Sequence, residues 1–518
     1  MSDVRTFLTR NRTRLIVLAL IALLFLSSTQ DMEGGEWLIT VLRGLSVGAV
    51  TFLVAAGLSL ILGLMDVLNL AHGEMYMIGA YVGWTVYVRP DTFVDMLTPV
   101  LIVAAGLVLW PFWRALWARL APASSRRRLL AWAALLAGAL LLFLTLRAFP
   151  LAKWDPEVYA QSPITFSLLL SQGTLQPPAA AEFGALGPAL AFGGALLGSV
   201  LLAAGMAGLS GRADAARDRR RWPFVAAVLL LVAALAIFMV NTPLTEWLFS
   251  LSTSWRFFLA LAVATGAGVI LGALIEVTMI RPLYARPIYQ LMITLGVSFI
   301  GIEVVRAVWG RPEFTMPKPA LFNGSGDGCP AESLSAMLEG QCSTVLLFGG
   351  RIRTYNEIFI ILVGLTVLVA VWLLLQRTRI GMIIRAGVQD SEMVEALGIN
   401  VRRVFTLVFA LGVGLAALGG TLAAPSFGLS TAMGTSVLLL ALIALAIGGL
   451  TSFPGAAAGA VLVGLLQQFM IKYGQIGINL PFLAEPFKPS PPLVPASTVL
   501  LMVVILLVLP RGLFGRSE

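Results

Sequence analysis

Residues 57–81 read GLSLILGLMDVLNLAHGEMYMIGAY, two apolar runs split by the polar stretch Gly63-Leu-Met-Asp-Val-Leu-Asn-Leu-Ala-His-Gly-Glu74. The flanks suit helices in lipid, while the middle carries Asp66, Asn69, His72 and Glu74, and His72 is the only histidine of the chain. An unsatisfied polar group in hydrocarbon costs several kcal/mol, so these four side chains need protein or water partners at membrane depth. The stretch therefore reads as a break between membrane helices and as the first candidate for a functional site.

Working outward, the composition assigns the class. The 518 residues are 58% hydrophobic and 12% charged, with a mean hydropathy of +0.92, far from the mix of a soluble domain. A transmembrane barrel would show alternating segments of roughly ten residues. Here the apolar runs reach the roughly 20 residues of a spanning helix, so the fold class is all-α, a polytopic helical membrane protein.

The formal net charge of +9 comes in short arginine clusters beside apolar runs, at Arg10 to Arg14, Arg126 to Arg128, Arg219 to Arg221, Arg281 with Arg286, and Arg377 to Arg385. A nucleic-acid partner would call for one soluble basic domain. Clusters in this position instead set membrane orientation through the positive-inside rule. With them as fixed points, about 14 membrane segments start near residues 15, 37, 65, 97, 129, 185, 222, 256, 288, 355, 403, 433, 455 and 496, and both termini are cytoplasmic. The first segment also fits a signal peptide, but Leu-Ser-Ser-Thr-Gln is a poor cleavage site and an uncleaved anchor is the preferred reading.

Cys329 and Cys342 are the only cysteines, both in a polar segment from about 310 to 354 that this topology places outside. A disulfide suits that compartment; two unlinked thiols in a loop are the alternative. No chelating spacing for a metal occurs. There is also no G-x-x-x-x-G-K-[ST] loop or H-E-x-x-H motif, and a single histidine leaves little scope for a His-based triad, which argues against an ATPase or hydrolytic enzyme in this chain.

The inner segment 376–403 reads QRTRIGMIIRAGVQDSEMVEALGINVRR. Ser391 can cap a short helix on which Met393, Val394 and Leu397 form an apolar stripe, and Gly398 can end it. A short amphipathic helix on the inner face is suited to docking. A second break, Gly448-Gly449 to Pro454-Gly455, interrupts apolar segments late in the chain. Paired Gly/Pro interruptions point to a central transport site, so Asp66, Asn69, His72, Glu74, Gly448, Gly449 and Pro454 are candidates for lining a path. His72 is expected to cap backbone groups freed at the break and to hold a carboxylate, or else to touch the solute. The glycine pairs Gly44/Gly48, Gly268/Gly272 and Gly455/Gly459 suit close helix packing, and Glu303 with Arg306 an ion pair.

The 57–81 stretch, the turn Arg281-Pro-Leu-Tyr-Ala-Arg-Pro287, the 377–410 segment and Ile447-Gly-Gly-Leu-Thr-Ser-Phe-Pro-Gly455 together resemble the permeases of branched-chain amino acid ABC importers, in order and spacing. The resemblance covers roughly 37–90 and 255–515. It implies a subunit that moves a small polar or zwitterionic solute, foremost branched-chain or related amino acids, with urea, amides and carboxylates as alternatives. The implied partners are cytoplasmic ATPase subunits, a periplasmic binding protein, and a second homologous permease or another copy of this chain. This chain would bind no cofactor, ATP-Mg belonging to the ATPase, and it would reside in a bacterial inner membrane. Such permeases carry an E-A-A-x-x-x-G signature on their coupling helix; Glu392 and Gly398 keep its ends, while Met393 and Val394 replace the alanines. The resemblance thus assigns ATPase coupling to Arg385, Gln389, Asp390, Glu392, Val394, Leu397 and Gly398.

The expected organisation is an N-terminal arm and anchor helix (1–36), a first part of the core (37–90), an inserted helical annex (91–254) without counterpart in such permeases, and a second part of the core (255–518). Two other readings remain: an ion-gradient-driven secondary transporter using Asp66, Glu74 or Glu276, and a passive channel.

Overall fold

The computed structural model describes residues 32–120, 125–147, 149, 183, 187–209, 222–284, 286–310, 313–326, 328–347, 349–389, 391–479 and 485–514. The segment expected near residue 15 lies outside them. Each later expected segment meets a helix. Among the described residues ten helices are long and apolar enough to cross a membrane, and two shorter apolar helices accompany them. The chain divides into two compact units, the first from residues up to Trp84 and from Thr253 onward, the second from the described residues of Thr85–Asp155 and Leu168–Ser252.

The first unit opens with α1, Gly34–Met65, which ends where Asp66 takes a left-handed conformation at φ 51°. A short turn leads to α2, His72–Val88, whose residues to Trp84 belong to this unit.

The second unit contains α3 (Pro90–Val108), α4 (Trp110–Leu120), α5 (Ser125–Leu146), α6 (Gly187–Leu209), α7 (Trp222–Met239) and α8 (Asn241–Ser250). Small residues let α5 and α6 lie backbone to backbone: a Cβ at Gly138 would come 2.6 Å from the Leu202 nitrogen, and one at Gly205 2.6 Å from that of Leu135. Such contacts replace the hydrophobic drive that lipid does not supply. The buried charges of this unit are closed off, Arg89 on Asp91 at 2.8 Å and the Arg127 Nε donating to the Gly208 carbonyl at 3.1 Å.

The first unit resumes with α9, Thr253–Ile275, carried on by a π-helical turn over Glu276–Ile280 and a 3-10 turn over Arg281–Leu283, and then α10, Pro287–Trp309. The polar segment that follows holds α11 (Leu334–Gly340) and a hairpin of β1 (Thr344–Leu347) with β2 (Gly350–Arg353), antiparallel with Thr344 opposite Arg353. A disulfide joins Cys329 and Cys342, their Cα atoms 5.5 Å apart. Burial and the neighbouring Arg353 hold the Lys318 ammonium of this segment below the usual lysine range, against the pull of Glu357.

After a π-helical turn over Thr354–Phe359 come α12 (Ile360–Arg377), α13 (Arg379–Gln389), α14 (Ser391–Ala396), α15 (Val401–Phe427), α16 (Met433–Gly448), α17 (Phe453–Ile476) and α18 (Leu493–Val508). At the centre of the first unit stand α1 and α15, 72% and 78% buried over their apolar windows, whereas α10 and α12 reach 17% and 11%. The reason lies in the small residues of α15. A Cβ at Gly412 would come 2.8 Å from the Gly57 carbonyl oxygen of α1, and Ala417 meets both Gly79 of α2 and Gly268 of α9, where added Cβ atoms would each sit 2.6 Å from the Ala417 Cβ. The glycine pairs act as packing surfaces: Gly44 and Gly48 lie against α17, Gly268 and Gly272 against α15, and Gly455 and Gly459 against α16.

Candidate functional site

The break after α1 is built by a short asparagine turn. The Asn69 side-chain oxygen accepts from the Ala71 N–H at 3.1 Å, and the Asn69 carbonyl accepts from the His72 N–H at 3.2 Å, so α2 starts with its leading donors engaged. Capping therefore falls to Asn69, not to His72. The His72 ring is fully buried and packs on Gly57, where a Cβ would stand 2.8 Å from its Nε2. It faces the Val54 backbone, and neither ring nitrogen meets a hydrogen-bond partner in bonding geometry. Nor does it hold a carboxylate, because two residues along the helix, about 200° of rotation, carry Glu74 towards other elements.

Glu74 is 1% exposed. Its Oε1 accepts from the Ser298 hydroxyl at 2.9 Å and from that of Thr435 at 3.4 Å. Ser298 stands midway along α10, and Thr435 in the first turn of α16. The Glu74 Oε2 and the Asn69 Nδ2 have no partner. The starts of α2 and α16 cross on glycine: a Cβ at Gly73 would lie 2.8 Å from the Gly434 carbonyl carbon, and one at Gly434 2.7 Å from the Gly73 carbonyl oxygen. Two helix N-termini, whose N–H groups carry partial positive charge, thus meet around one buried carboxylate. Asp66, by contrast, is exposed at the turn.

The second break is of another kind. Gly448 ends α16 and Gly449 follows at φ 114°. The Ser452 side chain accepts from the Gly455 N–H at 3.2 Å to start α17, and Leu513 and Phe514 donate to the Ile447 and Gly448 carbonyls at 2.9 Å. Gly448 and Gly455 touch backbone to backbone, and Pro454 is exposed. This region is a hydrogen-bonded packing joint. It also stands at the far end of α16 from Glu74, roughly 20 Å away at 1.5 Å per residue, so the structure keeps Glu74 apart from this joint. The C-terminal end of α1, at the edge of the first break, does approach it, since a Cβ at Gly63 would lie 3.6 Å from the Thr451 carbonyl oxygen.

Three participants escaped sequence reasoning. Ser298, Thr435 and Gly434 look like ordinary small residues of apolar helices, and only helix pairing marks them. Glu276 is held by Arg281 at 2.9 Å and accepts from the Tyr284 hydroxyl, while Arg281 also donates to the Thr406 hydroxyl of α15 at 2.6 Å. The π-helical turn was the feature the sequence concealed; it brings residues five apart onto one side. Glu303 and Arg306 form an ion pair at 2.6 Å on the exposed face of α10.

In the segment 376–403, Asp390 lies outside the described residues, and the side chains of Gln389 and Glu392 are likewise not described. Arg385 is exposed and donates to the Gln376 side chain at 2.6 Å. Gly398 ends α14 at φ 81°. The expected apolar stripe is divided: Val394 is 3% exposed, turned into the protein, while Met393 at 59% and Leu397 at 72% project outward. Val394 therefore does not lie on the outward side of α14, and Met393 does.

Comparison with known proteins adds to this geometry. The family described as "Branched-chain amino acid transport system / permease component" matches residues 185–509, beginning within the stretch 91–254. The chain is 26% identical over 273 residues to the high-affinity branched-chain amino acid transport system permease protein LivH of Salmonella typhimurium, covering 52% of this chain and 78% of that one. It is 31% identical over 170 residues to the corresponding protein BraD of Pseudomonas aeruginosa, 33% and 50% of the two chains. A probable LivH of Methanocaldococcus jannaschii is 24% identical over 169 residues, again 33% and 50%. No solved structure matches the chain.

Proposed function

Because this chain belongs to the permease components of branched-chain amino acid transport systems, we propose that it is the membrane-spanning subunit of an ATP-driven importer. In this reading branched-chain or related amino acids arrive on a periplasmic binding protein. Separate cytoplasmic ATPase subunits bind and hydrolyse ATP-Mg, and a second homologous permease or another copy of this chain completes the pathway. The protein resides in the bacterial inner membrane with both termini cytoplasmic, as its arginine clusters indicate.

The observation that carries the proposal is the exposed pair formed by Met393 on α14 and Leu397 in the turn that follows it. They lie four residues apart on one helical face, and α14 leads through Gly398 and the capping residue Asn400 into the buried α15. An apolar knob on an inner-face helix is what a groove on a partner takes up. Closure of that partner would move α14 and bias the permease between inward-open and outward-open arrangements.

Gentle extraction, affinity capture of this chain and mass spectrometry of the co-purifying proteins test it. A Walker-motif ATPase is expected in the capture from wild type and absent from that of the Met393→Asp/Leu397→Asp variant. Capture of the permease alone, in a preparation where other multisubunit complexes survive, would sink the proposal.

A further inference from the structure

Four carboxylates are buried among the described residues: Glu74, Asp91, Glu276 and Glu357. Three of them face an arginine, Asp91 with Arg89 at 2.8 Å, Glu276 with Arg281 at 2.9 Å and Glu357 with Arg43 at 2.9 Å. Glu74 has hydroxyls only, from Ser298 and Thr435, both on the same oxygen. Its second oxygen has no partner and lies against Gly434, where any side chain would strike it. A charge buried without counter-charge is costly, and this chain spends an arginine on every other such carboxylate. The exception sits where α2 and α16 both begin, midway along α10.

We propose that Glu74, with the Ser298 and Thr435 hydroxyls, is the subsite that takes the ammonium group of the transported solute. The proposal rests on the amino-acid reading above and deepens it. A primary ammonium is compact, carries three donors and no acceptor, and finds here a free carboxylate oxygen and two hydroxyls that can also accept. The glycines at 73, 434 and 301 bring backbone close around the carboxylate; a Cβ at Gly301 would stand 3.4 Å from the Glu74 Cβ. The wider planar fork of a guanidinium suits such a place poorly. The permease itself would then select for solutes bearing a protonated amine, and urea, neutral amides and simple carboxylates would lack the group the site requires.

The test uses the complete importer with its binding protein in proteoliposomes and labelled L-leucine as probe. Glu74→Gln, nearly isosteric, should lower uptake about tenfold or more relative to wild type, the scale expected when a buried charge pair loses one partner, with Glu74→Asp between the two. Uptake by Glu74→Gln within about twofold of wild type would overturn the proposal.

A second measurement needs no variant. A hydrophobic carbodiimide is allowed to modify the wild-type complex, and modification of Glu74 is followed by peptide mass spectrometry. L-leucine should slow it, whereas 4-methylpentanoate, which is leucine without its amino group, and sodium chloride should not. Equal modification with and without L-leucine would overturn the proposal, as would protection by sodium alone, which would make Glu74 an ion-coupling group. ATP-driven L-leucine uptake by the wild-type complex tests the importer reading separately, so the two fail independently.

Discussion

The second unit and the start of α2 in the first hold a buried carboxylate in opposite ways, Asp91 in the one and Glu74 in the other. In the second unit Arg89 closes on Asp91 through both guanidinium and carboxylate forks, Asn241 donates to Asp95 at 2.8 Å, and Arg127 ends on a carbonyl. Around the start of α2, polar atoms of Asn69, His72 and Glu74 are buried without partners. Closed pairs hold helices in place in an apolar medium; open ones are costly to keep and are tolerated where something else is to be bound. The difference teaches where this molecule is built for permanence and where for exchange.

That comparison can be broken. If the Arg89–Asp91 pair is structural, Arg89→Ala leaves a buried carboxylate alone and should cost about 3–5 kcal/mol, read as thermal unfolding in detergent, while Arg89→Ala/Asp91→Ala recovers most of the loss. An unchanged melting temperature in the single variant would remove the pair from the list of fastenings. A smaller effect on stability, about 1–3 kcal/mol from overpacking, is expected for Gly434→Val, which forces a branched side chain against Gly73 and Glu74. Here uptake should fall out of proportion to the stability change, and a proportionate fall would mean the crossing is packing alone. The smallest effect, within about 0.5 kcal/mol, belongs to Leu229→Ala on the outer face of α7, where Leu229 is 63% exposed. A larger loss there would show that the face is covered by protein rather than by lipid.

Much of this was legible in the chain itself. Hydropathy and arginine placement gave the helices, because a lipid environment leaves a spanning segment little choice but to be apolar and helical. The break at 63–74 announced itself by its polar residues. What could not be read was which groups face one another. Ser298 and Thr435 lie 224 and 361 residues from Glu74, and their meeting depends on how three helices are rotated about their axes. The same limit explains Val394. A local apolar stripe shows that α14 is amphipathic, but packing decides which of its residues turn inward. Asn69 takes the capping role expected of His72 for a shorter-range reason: an asparagine two residues ahead of a donor reaches it through its own turn, whereas a side chain already in the helix is aimed elsewhere.

α15 carries a mechanical implication. It begins at Val401, three residues after Gly398, and along its length its small residues bring α1, α2 and α9 to within backbone contact. At one end Arg281 grips Thr406, and farther along Thr421 donates to the Gly79 carbonyl at 2.9 Å and Leu422 accepts from the Tyr355 hydroxyl at 2.7 Å. A rod clasped on several sides behaves like the spindle of a lock: a push on its N-terminal tip is shared at once among its neighbours, because close-packed contacts transmit strain instead of absorbing it.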